Sequence, residues 1–171
     1  MYKVTVFSAK FRVILEKYNL MDWAFDITIK NRFILQRFID QYSLKDLNTV
    51  PKGFSNNIIW NIAHTIVTQQ LLVYNLSGLP ILVSDALVAR YKKGTKVEHA
   101  VSQDEVDLIK SLLFSTIEQT KEDYSHKIFK SYESYTTSTN STIASVEDAI
   151  AFNNFHEGIH LGYILALKKS L

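Results

Sequence analysis

The sequence contains no cysteine, only two prolines and only five glycines among its 171 residues. Without cysteine, neither a disulfide framework nor a thiolate metal site is possible, and catalysis cannot use a protein thiol. Any metal ion would have to be held by histidine, aspartate, glutamate or carbonyl oxygen. Because proline and glycine are the residues that most often interrupt helices, their scarcity favours a helical chain.

The sequence also lacks an excess of either charge. Lysine and arginine number 19 against 17 acidic residues, for a net charge of +2, which is too balanced to indicate a nucleic-acid-binding surface. No apolar run reaches the roughly 18 residues that a membrane span needs, and charged residues interrupt the first 20 positions so that no secretory apolar core forms. We therefore expect no nucleic-acid partner, no membrane association and a cytoplasmic location.

The first 20 residues differ in pattern from the rest of the chain. A strand-like run, Val4-Thr5-Val6-Phe7, precedes a helix-like segment, and a clean helical pattern begins at Met21. We divide the chain into an N-terminal part, 1–20, which is either an extension or the product of a misplaced start, and a single domain, 21–171. With 47% hydrophobic residues over the chain, a domain of this length can bury a substantial core.

Four segments carry apolar residues at helical spacing and have recognisable start signals. A serine followed three positions later by an acidic residue forms a capping box, and such boxes open the third and fourth segments. The predicted helices run from Asp22 to about Gln41, from a cap at Ser55 or Asn56 to about Leu76, from Ser102–Glu105 to about Tyr124, and from Ser145–Asp148 to about Lys169.

Four amphipathic helices in one domain predict an all-α four-helix bundle. The connection over about 77–101 is long enough to cross the whole bundle, which would let helices 2 and 3 run parallel. It contains a basic run, Arg90–Lys96, of a kind that is usually a solvated loop but can also line a pocket mouth and attract an anionic substrate. The second long connection, Ser131–Asn140, is rich in serine, threonine and tyrosine and predicts a surface loop.

Three of the five histidines fall on inward helix faces. His64 lies mid-helix on an apolar face, while His156 and His160 leave one face of helix 4 one turn apart. Burying three imidazoles without a common reason is costly, and a shared divalent cation supplies that reason. The alternative is a polar bundle core without metal. His99 and His126 stand in polar surroundings and are predicted to face solvent.

Several polar residues share the directions of these histidines on the helical wheel. Asn61 lies near the direction of His64, and Asn153 and Tyr163 lie near that of the helix 4 pair. We interpret Asn61, Asn153 and Tyr163 as candidate contacts to the histidines or to a substrate. Glu157 is the candidate catalytic base, although it can equally cap a rim or pair with a lysine.

The stretch His156–His160 also spells H-E-x-x-H, the zinc signature of many metallopeptidases. Such peptidases take a third metal ligand from further along the chain, but residues 161–171 contain no histidine and no acidic residue. Glu157 also points about 80° away from the mean direction of the two histidines on a helical wheel. A peptidase is therefore the least favoured interpretation.

Two motifs together resemble the DinB-like family, a superfamily of four-helix bundles regarded as metal-dependent enzymes. They are Asn61-Ile62-Ala63-His64-Thr65 in helix 2 and Asn154-Phe155-His156-Glu157-Gly158-Ile159-His160-Leu161-Gly162 in helix 4. The resemblance covers about residues 22–171, including the long crossover. It implies that His64, His156 and His160 form a metal-binding triad. Characterised members include metal-dependent thiol transferases, so it also implies chemistry on a low-molecular-weight thiol.

Two hypotheses from different classes follow. The first is a metal-dependent enzyme, a thiol S-transferase or hydrolase acting on a small molecule, with Zn, Ni or a similar divalent ion, since three imidazoles accept several transition metals. The second is a non-enzymatic bundle, with a structural metal or a polar core, that serves as a dimerising or binding module. In both cases we expect a homodimer.

Overall fold

The computed structural model describes the backbone of residues 7–171 and the side chains of residues 20–171. This part of the chain forms six α-helices and one short hairpin. The elements are α1 (Phe7–Gln41), α2 (Leu44–Asn48), α3 (Ile58–Val73), α4 (Asp85–Tyr91), α5 (Gln103–Ser125), β1 (Tyr135–Thr136), β2 (Thr142–Ile143) and α6 (Val146–Leu167).

The architecture is an all-α bundle of the four long helices α1, α3, α5 and α6, as the sequence predicts. Helix α6 packs against α3 and α1, and α5 packs against α1 and α3. The predicted long crossover connects α3 to α5 and contains the short helix α4. The hairpin of β1 and β2 stands in the connection before α6. No helix in the described residues is long and apolar enough to span a membrane.

The helix starts follow the capping signals, with one correction. Ser102 and Ser145 cap α5 and α6 as predicted, each accepting a hydrogen bond from the backbone N–H three residues later. Helix α3 is capped by Asn57, whose side chain accepts from Trp60 N, so the predicted cap at Ser55 or Asn56 was wrong. Several adjacent polar residues can each cap a helix, and the packing of the helix decides among them.

The helix ends differ from prediction in α3 and α1. Helix α3 stops at Val73, and the chain continues as a 3₁₀ turn, Asn75–Ser77, before Gly78 takes a left-handed conformation at φ 70°. Helix α1 covers Phe7–Gln41 and so extends before the predicted start at Asp22, because no glycine or proline interrupts it. In the strand-like run of the N-terminus, Phe7 lies in α1 and residues 4–6 lie outside the described residues. The division at residue 20 stays a prediction.

Helix α3 is the central element of the bundle. Fourteen of its 16 residues are buried, so polar side chains on it, including His64, lie inside the protein. Its apolar residues pack into a large core with the other helices, and a second apolar cluster fills the end of the bundle near the hairpin. Representative members are Leu35, Ile62, Leu113 and Ile164 in the first cluster, and Phe25, Val73, Ile117 and Ile150 in the second.

A fully buried ion pair joins α1 to α6 inside this core. The Arg32 guanidinium donates to Oε1 of Glu157 from Nη2 at 2.9 Å and from Nε at 3.1 Å, and neither side chain is exposed. The third guanidinium nitrogen, Nη1, donates to the carbonyl of Leu113 at 2.8 Å and to Oγ1 of Thr116 at 2.9 Å. One arginine therefore connects three of the four long helices.

The Glu157 carboxylate accepts two further hydrogen bonds. Asn31 donates to its Oε2 at 2.9 Å and Asn153 donates to its Oε1 at 2.9 Å. Both oxygens are thus satisfied by side chains from α1 and α6. A buried charge pair requires this kind of complete hydrogen bonding, because its desolvation cost otherwise exceeds the attraction between the two charges.

Replacing one member of the pair tests its role. We expect Glu157→Ala to lower the free energy of unfolding by about 3–5 kcal/mol, because the substitution leaves the Arg32 charge buried without a partner. Urea denaturation followed by circular dichroism measures the change.

A matched control is the exposed ion pair of α1, Lys30–Asp26, at 2.6 Å. Lys30→Ala should change the free energy of unfolding by no more than about 0.5 kcal/mol, since exposed pairs contribute little. Equal stability of the Glu157→Ala and Lys30→Ala proteins would show that the buried ion pair is not required for the stability of the fold.

Candidate metal centre

Three histidines from two helices converge in the described structure. His64 comes from α3, and His156 and His160 come from successive turns of α6. One ring nitrogen from each lies within 4.8 Å of the other two, and the ring centroids are 4.6–5.2 Å apart. The tight packing of α3 against α6 brings the rings together, and the group can hold a metal ion.

The His64 ring is oriented by a backbone group of the crossover. Its Nδ1 donates to the carbonyl oxygen of Tyr91 at 2.5 Å, and the Trp60 ring stacks on it with centroids 4.7 Å apart. A carbonyl oxygen can only accept, so Nδ1 carries the proton and Nε2 presents a lone pair. Oγ1 of Thr68 lies 3.3 Å from that Nε2.

The Tyr91 carbonyl is held in place by the attachment of α4 to α5. The Tyr91 hydroxyl donates to Oε1 of Glu105 at 2.5 Å, and Arg90 pairs with Oε2 of the same carboxylate at 2.5 Å. Burial, with Glu105 as the acceptor, raises the pKa of the Tyr91 hydroxyl, which keeps it the donor. The long crossover is therefore fixed beside His64 rather than free to move away from it.

The His160 ring is oriented by Asn61 of α3. Its Nδ1 lies 2.8 Å from Oδ1 of Asn61, whose Nδ2 donates to the carbonyl of Asn57 at 2.7 Å. Because the second bond requires the amide nitrogen to face Asn57, the oxygen faces His160 and accepts its proton. The Nε2 of His160 is left with a lone pair, as in His64. Hydrogen bonds of this kind orient the histidine ligands of metal sites.

His156 completes the group with an unsatisfied nitrogen. Its Nδ1 is buried and has no hydrogen-bond partner among the described residues. A buried polar atom without a partner is costly, and a ligand or ion commonly provides the missing interaction. The oriented Nε2 atoms of His64 and His160, together with the unsatisfied imidazole of His156, therefore form a set of ligand nitrogens that fits a divalent transition metal.

The three histidines are held in the neutral form that metal binding requires. Burial, followed by the charge of the neighbouring histidines, lowers the pKa of His160 to about 3 and that of His156 to about 4. Burial also lowers the pKa of His64, against the opposing effect of the Tyr91 carbonyl. At neutral pH no proton has to leave these rings before a metal ion binds.

These shifts predict how the stability of the metal-free protein depends on pH. Below the ordinary histidine pKa of 6.5, these histidines become protonated in the unfolded chain but stay neutral in the folded protein. The free energy of unfolding therefore has its full value, as far as these histidines are concerned, above pH 6.5. It decreases as the pH falls towards about 4 for His156 and about 3 for His160. Each histidine should cost at most about 1.4 kcal/mol per pH unit in this window.

Urea denaturation of chelator-treated protein at several pH values between 4.5 and 7.5 measures this loss. His156→Gln is the matched variant, and its stability should fall less steeply with decreasing pH because one of the shifted groups is gone. Parallel pH profiles for the two proteins would show that His156 is not held neutral by the fold.

Glu157, the candidate catalytic base, lies in a different environment from the histidines. Its carboxylate is fully buried, and both oxygens accept hydrogen bonds in the network with Arg32. Successive helix residues point about 100° apart, so this neighbour of His156 faces α1 while the histidines face α3. The H-E-x-x-H stretch is helical, but its glutamate is an ion-pair partner in this structure.

The other candidate contacts lie in different parts of the structure. Asn61 lies beside His160, whereas Asn153 donates to Glu157 and belongs to the buried ion-pair network. The Tyr163 ring packs edge-on against Phe54, with centroids 5.4 Å apart. His99 and His126 are exposed.

An open pocket gives access to the three histidines. Its volume is about 360 Å³, which is within the range of small-molecule sites. The histidines share its wall with apolar side chains, hydroxyl groups and one lysine. The apolar residues are Leu71, Leu72, Phe152 and Ile159, the hydroxyl groups belong to Thr68, Tyr135, Thr137 and Ser138, and the lysine is Lys93.

Several groups at the site and its pocket do not follow from the sequence. The Tyr91 carbonyl is a backbone group, which no sequence pattern identifies. Tyr135, Thr137 and Ser138 belong to the stretch that was predicted only as a surface loop, although its hydroxyl-rich composition was a signal. For the basic run of the crossover, a solvated loop is the favoured prediction and a pocket mouth the alternative, and Lys93 is its member that lines this pocket.

A helical bundle with three converging histidines at a pocket defines the class of the protein. The model of the DinB superfamily matches residues 29–164, which is 136 of 171 residues (164 − 29 + 1) and includes the three histidines. The chain belongs to the DinB superfamily. The predicted resemblance is thereby confirmed. No curated protein matches the sequence.

Proposed function

We propose that the protein is a metal-dependent enzyme that holds one divalent transition metal, Zn, Ni or a similar ion, with His64, His156 and His160. Its substrate is a small molecule that enters the adjoining pocket. The observation that carries the proposal is the convergence of three imidazole nitrogens within 4.8 Å on the wall of an open pocket. Three protein ligands are the number typical of catalytic sites, which keep a position for the substrate, rather than of closed structural sites.

The protein groups around the site orient the ligands and keep them neutral. Tyr91 and Asn61 accept the Nδ1 protons of His64 and His160, so that the Nε2 atoms are the ones available for coordination. A bound divalent ion would lower the pKa of a thiol or of water, which supplies a nucleophile at neutral pH without a protein cysteine.

Of the two reactions, transfer of a thiol suits the pocket better than hydrolysis. None of the described residues that line the pocket is acidic, and Glu157 is engaged by Arg32. Hydrolysis usually relies on a general base that positions water. A thiol depends less on such a base, because its pKa is far below that of water before either binds a metal ion. In the transfer, the thiol sulfur bonds to an electrophilic carbon, the leaving group departs with the bonding electrons, and the thiol proton passes to solvent.

Cobalt substitution tests the proposal with a simple thiol as the probe. We expect Co(II)-loaded protein to show visible absorption bands that shift when 2-mercaptoethanol is added, because an accessible ion exchanges ligands. His160→Ala should lose the bands, while His99→Ala, which changes an exposed histidine outside the cluster, should keep them and their response. Thiol conjugation to 1-chloro-2,4-dinitrobenzene then gives the activity readout.

Bands that appear but never respond to a thiol or to small anions would contradict the enzymatic proposal. They would indicate an ion that is closed off by protein ligands.

The second candidate function, a dimerising or binding module, is favoured by a separate observation on α6. The exposed residues of this helix from Ala151 to Ala166 are all uncharged, and they include the large apolar side chains of Phe155, Ile159 and Leu165. An uncharged face can meet a second copy of itself without repulsion between like charges, as a two-fold dimer requires.

Sedimentation velocity tests the proposed dimer. The wild-type protein should sediment as a dimer and Phe155→Asp as a monomer, because the substitution introduces like charges across the interface. A monomeric wild-type protein would contradict the dimer and remove the support for this second function.

A further inference from the structure

The pocket beside the three histidines has an uneven charge distribution. Apart from the three histidines, Lys93 is the one basic residue among the described lining residues, and none of the lining residues is acidic. No described residue forms an ion pair or hydrogen bond with the Lys93 side chain. A cation without a protein partner in a partly apolar pocket favours a ligand with a negative charge.

The structure separates Lys93 from the other basic residues of the crossover. Arg90 is paired with Glu105, and neither Lys92 nor Lys96 lines this pocket. Lys93 follows Tyr91, whose carbonyl is bound to His64, by only two residues. The contact that orients His64 therefore also fixes the chain that carries Lys93 beside the site.

The remaining surface of the pocket indicates the apolar part of the ligand and the number of its negative charges. Leu71, Leu72, Phe152 and Ile159 provide apolar walls, which favour a ligand with an apolar body. A single lysine matches an anion of one charge. A phosphate dianion usually receives several donors, such as an arginine fork or a helix N-terminus, and the described lining residues include no arginine.

We propose that the pocket binds a small molecule with an apolar body and one carboxylate, and that Lys93 contacts the carboxylate. The inference rests on the proposed function in taking this pocket as the substrate site. It makes Lys93 a specificity-determining residue, because the lysine distinguishes an acid from its neutral analogue.

Isothermal titration with 4-phenylbutyrate and with the neutral 4-phenylbutyramide tests the proposal on the full chain, both as purified and after chelator treatment. We expect Lys93→Ala to bind the acid about tenfold more weakly than wild type, because it lacks the charge-assisted contact. Affinity for the amide should be unchanged. Lys92 is exposed like Lys93 but does not line the pocket. Lys92→Ala is therefore the matched control and should bind both compounds like wild type.

Two results would overturn the proposal. One is equal affinity for the acid in the Lys93→Ala and Lys92→Ala proteins. The other is acid binding that disappears on chelator treatment and ignores Lys93, which would mean that the carboxylate binds the metal ion itself. The metal content of each sample is measured as well, so that this test can be separated from the test of the proposed function. If the protein binds the acid through Lys93 but takes up no metal, only the enzymatic proposal is contradicted.

Discussion

The buried Arg32–Glu157 ion pair fixes the orientation of α6, and the candidate metal centre depends on that orientation. Because both charges are fully buried, a rotation of α6 about its axis would separate them at a high cost in free energy. Glu157 is held against α1, so the adjacent His156, and His160 one turn later, must face α3. The ion pair thus explains how a helix that is apolar over much of its surface can present two histidines in a single direction.

The second constraint is the crossover between α3 and α5. It passes beside His64, and its own backbone provides the acceptor for the His64 ring at Tyr91. Glu105 of α5 anchors this segment through both Arg90 and Tyr91. The long connection therefore forms part of the site, because it orients the His64 ring and also carries Lys93 of the pocket wall.

The bundle and the convergence of the histidines could be predicted from local signals, whereas the partners around them could not. Capping serines and helical periodicity act over a few residues, so Ser102 and Ser145 located two helix starts correctly. The partner of Glu157 lies 125 residues away, and only packing determines that it is Arg32. For the same reason Asn153 was assigned to the direction of the histidines, although its side chain turns to Glu157.

Metal content is the most direct measurement of the central claim, that His64, His156 and His160 form one metal site. Elemental analysis of the purified protein should find about one equivalent of a transition metal. Each of the variants His64→Ala, His156→Ala and His160→Ala should lose it while circular dichroism shows that the helices remain. A well-folded wild-type protein that holds no metal, even after incubation with Zn, Ni and Co salts, would contradict the claim.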